Sequence, residues 1–164
     1  MPSIRTIAMI ATLLALTMCT GLDSRAQANA NGLEVGAKGE LLFHNRALQP
    51  PIHANSGLDI GRVFHMGDAN VVLVTQIGGT ACPYLYYLVT IRDSTAEATP
   101  EFGSCNEVVS ATRKGNSIVL TMHGYRGPFE PPADRRKAER ELRTFVFSDG
   151  KVSELKPAPT GETK

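Results

Sequence analysis

Residues 71–77 (VVLVTQI) and 84–91 (YLYYLVTI) restrict the fold of this chain more than any other stretch. β-branched and aromatic side chains fit a pleated surface and lose rotamer freedom in a helix, so both segments read as strands. The apolar, β-branched character of 71–77 marks a central strand. Gly78-Gly79-Thr80 closes the first segment, and Gly67-Asp68-Ala69-Asn70 supplies a turn ahead of it.

The same pattern recurs along the chain. Residues 40–43 predict a short strand, followed by a turn at His44-Asn45-Arg46. Residues 58–66 alternate and predict a strand bent at Gly61, and 98–102 and 107–111 predict short strands, with a turn over 92–96. Lys114-Gly115-Asn116 reads as a hairpin turn into 117–122, and Asp149-Gly150 as another between 144–147 and 151–155. Residues 131–143 (PPADRRKAERELR) differ: they hold helix formers, no β-branched residue, and prolines at the start, where a missing amide hydrogen does no harm. A surface helix is expected there, with Ala138 and Leu142 on one face and Asp134 near its N-terminus. The basic residues Arg135, Arg136, Lys137, Arg140 and Arg143 alternate with Glu139 and Glu141, the pattern of a solvated face.

These elements predict an all-β domain with one short C-terminal helix. The connections are too short for helical crossovers, so a mainly antiparallel meander is expected, folded as a sandwich or a small barrel. A chain of 164 residues supports one domain. Its expected span is 39–156, after a flexible leader at 29–38 and before a disordered polar tail at 157–164.

Residues 1–28 read as a signal peptide. Arg5 precedes an apolar run over 7–18, and Ala26-Gln27-Ala28 has the small-x-small form of a cleavage site. The run is shorter than the roughly 20 residues that span a bilayer, so no stable membrane insertion is expected after cleavage. Lipoprotein processing at Cys19 is the lesser alternative, because Met18 before it is not small. The expected location is therefore periplasmic or secreted. The remaining 136 residues carry 15 basic and 15 acidic side chains. A neutral chain has no long-range attraction for phosphates, which argues against a nucleic-acid partner.

Cys82 and Cys105 remain after cleavage, and two thiols in an exported protein predict a disulfide. Closing a loop of 23 residues is worth roughly 3–3.5 kcal/mol through the unfolded state. A catalytic Cys82 with His123 as base finds no support in the small and apolar residues around Cys82. His44, His53, His65 and His123 form no close ligand pair of the kind zinc sites use. His65-Met66 and Met122-His123 would suit copper chemically, although neighbours on a strand face opposite sides. Asp68, Glu101 and His123 are the residues a small hydrolase would have to bring together.

The blocks Gly78-Gly79-Thr80-Ala81-Cys82-Pro83 and Thr99-Pro100-Glu101-Phe102-Gly103-Ser104-Cys105, with the run from Tyr125 to Glu130, make the chain similar to a group of small exported periplasmic proteins of Gram-negative bacteria. The resemblance covers roughly residues 39–127. It implies export, paired cysteines and a mostly β fold, and it brings no activity to named residues.

No triad, phosphate-loop, metal-spacing or nucleotide motif is present in the sequence, and no cofactor is expected. The reading that follows is a non-enzymatic binding protein, with an envelope protein as its expected partner. Tyr84, Tyr125 and Phe129, aromatics in or beside Gly- and Pro-rich loops, are its candidate contact residues.

Overall fold

Val71, Val72, Leu73 and Val74 are all buried, so the centre of β5 (Ala69–Ile77) is covered on both faces. The computed structural model describes residues 31–156. The segment read as a signal peptide, Cys19 and the tail at 157–164 lie outside the described residues.

β5 runs through a five-stranded antiparallel sheet between β4 (Gly57–Met66) and β6 (Tyr84–Arg92). β7 (Thr95–Ala98) and β8 (Phe102–Cys105) follow one another along the far edge of β6. A second antiparallel sheet has the order β12-β11-β10-β9, from β9 (Val108–Lys114), β10 (Ser117–His123), β11 (Leu142–Ser148) and β12 (Lys151–Leu155). A third, small sheet is made of β1 (Leu33–Val35), β2 (Leu41–Phe43) and β3 (Arg46–Ala47). Among the described residues the fold is mainly antiparallel β with one short helix, α1 (Pro132–Arg140), and no sheet closes into a barrel.

The two-residue period of a strand sorts the core into two layers. Phe64, Val71, Leu73 and Leu88 pack against Ile118, Leu120, Met122, Phe145 and Phe147 of the four-stranded sheet. Val72, Val74, Val89 and Ile91 point the other way, onto Leu33, Leu41, Phe43, Leu48 and Ile52. Each fully buried aliphatic or aromatic side chain contributes about 1.5–3 kcal/mol. The small sheet therefore completes the structure by covering an apolar face that would otherwise meet water.

This cover corrects the reading of 29–38 as a flexible leader. Leu33 is fully buried, and Leu33–Val35 pairs with β2. A second correction concerns 98–102, expected as one strand. β7 ends at Ala98 and β8 begins at Phe102, because Pro100 has no amide hydrogen for a ladder. Thr99, between them, is buried: its amide donates to the Leu88 carbonyl at 3.0 Å, and its hydroxyl accepts from the Leu88 amide at 3.1 Å. At Thr99 the chain thus stays bonded to Leu88 of β6 as it steps from β7 to β8. The third correction is the end of the helix. α1 stops at Arg140, and Leu142, expected beside Ala138, opens β11 and is exposed. Pairing of Leu142 with His123, and of the Gly124 amide with the Glu141 carbonyl at 2.8 Å, outweighs another turn of helix.

The expected bend in β4 is present as a register shift between Ile60 and Val63. A side chain at Gly61 would crowd the Leu73 carbonyl, and Arg62 beyond it reaches across to donate to the Ala111 carbonyl of β9. One arginine thereby joins the open edges of the two main sheets.

Candidate functional site

One end of the sandwich is built by the segments that carry most of the sequence signals. Cys82 and Cys105 form a disulfide with an S–S distance of 2.01 Å. Cys105 closes β8 opposite Tyr84, so the bridge ties the loop before β6 to the end of the strand paired with it. The loop is tight: the Gly78 amide donates to the Pro83 carbonyl at 2.8 Å and the Cys82 amide to the Gly79 carbonyl at 3.1 Å. A Cβ at Gly78 would collide with the Cys82 carbonyl oxygen, so only glycine fits there. With both sulfurs joined, Cys82 holds no thiol for the nucleophilic role considered for it.

The Phe102–Cys105 strand also stitches the two main sheets together. The Ser104 amide meets the Met122 sulfur at 3.2 Å, and the Ser104 hydroxyl donates to the His123 carbonyl. Asn106 donates from Nδ2 to the Gly124 carbonyl at 3.3 Å and accepts the Glu107 amide at 2.8 Å. The Tyr86 hydroxyl donates to the Asn106 carbonyl and accepts the Val108 amide, at 3.0 and 3.1 Å. Gly124 lets α1 approach: a Cβ there would sit 2.9 Å from the Ala138 carbonyl oxygen.

From this frame the loop over 125–131 projects. Tyr125 is half-buried, and its hydroxyl donates to the Thr80 carbonyl of the disulfide loop at 2.6 Å. The Glu130 amide donates to the Gly127 carbonyl at 3.1 Å, closing a turn. Phe129 lies on that turn and is 97% exposed. Beside it a cavity of about 430 Å³ opens between the loop, the disulfide segment and α1, with Thr80, Pro83, Tyr125, Arg126, Pro128 and Arg135 in its wall.

Tyr84 lies at the same end but on another side. It faces a groove of about 360 Å³ on the central sheet, with Asp59, Thr75, Ile77, Tyr86 and Glu107. A hydrogen bond to the Glu107 carboxylate, together with its charge, holds the Tyr84 phenol above its ordinary range. Burial is the main reason that Tyr86 is pushed up to about 12. The structure thus puts Tyr125 and Phe129 on one loop and Tyr84 in a separate groove. Asp59 and Glu107 were not singled out from sequence, since strand register brings Asp59 to this groove and the Tyr86 hydroxyl, by holding Asn106 and Val108, brings Glu107.

The other combinations are not assembled. Asp68 pairs with Arg92 at 3.4 Å in the turn after β4, and Met66 shares a cavity there with Asn116, just before β10. His123 ends β10, seven residues beyond Asn116, which at about 3.3 Å per residue is the opposite end of the sheet. Asp68 therefore cannot act with His123, and His65-Met66 cannot share a metal with Met122-His123. Glu101 accepts from the Tyr87 hydroxyl at 3.3 Å, on a residue packed against the other core. His65 bonds through Nδ1 to Asn70 at 2.7 Å. Among the described residues no group of three or more His, Cys, Asp or Glu is placed to hold a metal, and no helix is long and apolar enough to cross a membrane. No protein-family model, curated protein or solved structure matches the chain.

Proposed function

We propose that this is an exported, non-enzymatic binding protein that engages an envelope protein through its disulfide end, with Phe129 as the anchor. The observation that carries the reading is the exposure of Phe129, 97%, on a loop held at both ends by the fold. Full burial of a phenylalanine at an interface is worth about 1.5–3 kcal/mol. A loop fixed by Tyr125, Gly124 and the disulfide segment loses little freedom when it docks, so more of that energy reaches the affinity. Tyr125 and the neighbouring cavity form the rim. Export is supported by the disulfide, which persists in oxidising compartments, and by the leader-like segment at 1–28.

The test is capture from native envelope extract with oxidised residues 29–164 as bait, against Phe129→Ala at equal loading. The reading expects one stoichiometric partner on the native bait and its loss on the variant. Equal capture by both baits, or no partner on either, contradicts it.

A further inference from the structure

We propose that the groove at the uncovered end of the central sheet is a site for a small organic cation, an ammonium carried on an apolar body. The site is separate from the Phe129 loop, and the proposal does not rest on that loop having a partner.

The groove follows from strand register. Asp59, Thr75 and Tyr86 form one cross-strand rung over β4, β5 and β6, and Gly57, Ile77 and Tyr84 form the next. These side chains share the face that carries Val71 and Leu73. At Val71 and Leu73 this face is buried under Ile118, Leu120 and Ala111 of the second sheet. β9 begins only at Val108, so the cover thins toward the disulfide end. Ile77 is left 38% exposed on the floor of a space of about 360 Å³. Contiguous apolar surface left open beside well-placed polar groups is how small-molecule sites are built.

The polar groups choose the ligand. Asp59 stands on β4, and Glu107 lies between Asn106 and Val108, the two residues bonded by the Tyr86 hydroxyl of β6, so both carboxylates line the groove. No Lys or Arg lines the groove, and neither carboxylate takes part in an ion pair among the described residues. Arg62, the nearest arginine along β4, lies outside this lining and donates to the Ala111 carbonyl. An anion would meet two carboxylates and no cation in the lining. The raised Tyr84 phenol reports the same negative field, through Glu107.

Asp59 and Glu107 belong to no group of three or more His, Cys, Asp or Glu placed to hold a metal ion among the described residues. Tyr84, half-buried, supplies ring surface that attracts a cation, and Tyr86 is buried behind it. The Tyr86 hydroxyl is already engaged with Asn106 and Val108, which fixes that ring as a wall. Ile77 and Val108 would receive the apolar body.

The test is an amide NMR titration of oxidised residues 29–164 with phenethylamine at neutral pH, beside its isosteres 2-phenylethanol and phenylacetate. The proposal expects saturable shifts at Ile77, Tyr84 and Glu107 with the ammonium, about tenfold weaker binding of the alcohol, and none of the carboxylate. Asp59→Asn with Glu107→Gln should remove the preference for the ammonium while spectra remain superimposable away from the groove. Both positions are exposed, so the fold survives the change. Equal binding of the alcohol, shifts centred elsewhere, or no saturable shift overturns the proposal.

Discussion

The Tyr125 hydroxyl donates to the Thr80 carbonyl at 2.6 Å across 45 residues of sequence, and so joins the loop that carries Phe129 to the loop that carries Cys82. Two segments that are separately Gly- and Pro-rich become one surface. The disulfide fixes one side of it and the Gly124–Ala138 approach of α1 the other.

Tyr125→Phe keeps the ring and removes this bond. The expected loss of stability is about 1 kcal/mol. Faster amide exchange should be confined to the 125–131 loop and read at Glu130, whose amide donates to the Gly127 carbonyl, measured by hydrogen exchange. Unchanged exchange in the loop would show that the hydroxyl does not hold it.

Phe129→Ala removes a side chain that touches water on nearly every side. Its effect on urea unfolding should stay within about 0.5 kcal/mol, as for other surface changes. A large loss would mean that Phe129 belongs to the folded core.

Cys82→Ser with Cys105→Ser opens a covalent loop spanning 23 residues. The expected cost is about 3 kcal/mol, read as a lower urea midpoint. Dithiothreitol should lower the native protein to the level of the double variant and leave that variant unchanged.

Leu33→Ala tests whether the small sheet is part of the core. Leu33 is fully buried among Leu41, Val72 and Val74, so truncation should cost about 2–5 kcal/mol. A flexible leader at this position would give no change in urea unfolding.

Tyr86 and Tyr87 are both pushed up to about 12 from 10.0, chiefly by burial, with the Glu101 carboxylate adding to the effect at Tyr87. The unfolded chain ionises these phenols first, so the native state holds more protons between the two values. Stability from this source is complete below pH 10.0 and declines as pH rises toward about 12. Absorbance titration at alkaline pH should show Tyr86 and Tyr87 ionising late in the native protein, with Tyr84 also delayed, and all of them early in urea. Glu107→Gln should bring the Tyr84 phenol back toward its ordinary value, since Glu107 is its main perturbation.

Much of the fold was legible because strand periodicity and turn chemistry are local. Asp149-Gly150 and Gly115-Asn116 sit in their hairpins as expected, with Asp149, Gly150 and Gly115 at positive φ. β1 was not legible: three residues, Leu33-Glu34-Val35, are too few to show a period, and their burial depends on Val72 and Val74 far along the chain. The break at Thr99-Pro100 was hidden for a related reason, since the side of β6 on which Pro100 falls is a matter of register. The disulfide and the aromatics of the 125–130 loop could be named from residue type. The groove could not, because Asp59 meets Tyr84 only through the pairing of β4, β5 and β6, and Glu107 only through the pairing of β6 with β8 and the bonds of the Tyr86 hydroxyl.

The most direct test of the disulfide end as a binding surface is site-specific photo-crosslinking in cells. One photoreactive residue replaces Phe129 and, in a second strain, another replaces Asp149, which lies on the hairpin at the opposite end. The account predicts a discrete higher-mass adduct from position 129, absent from 149 and lost when Cys82 and Cys105 are both serine. Equal adducts from both positions, or none from 129, would contradict it.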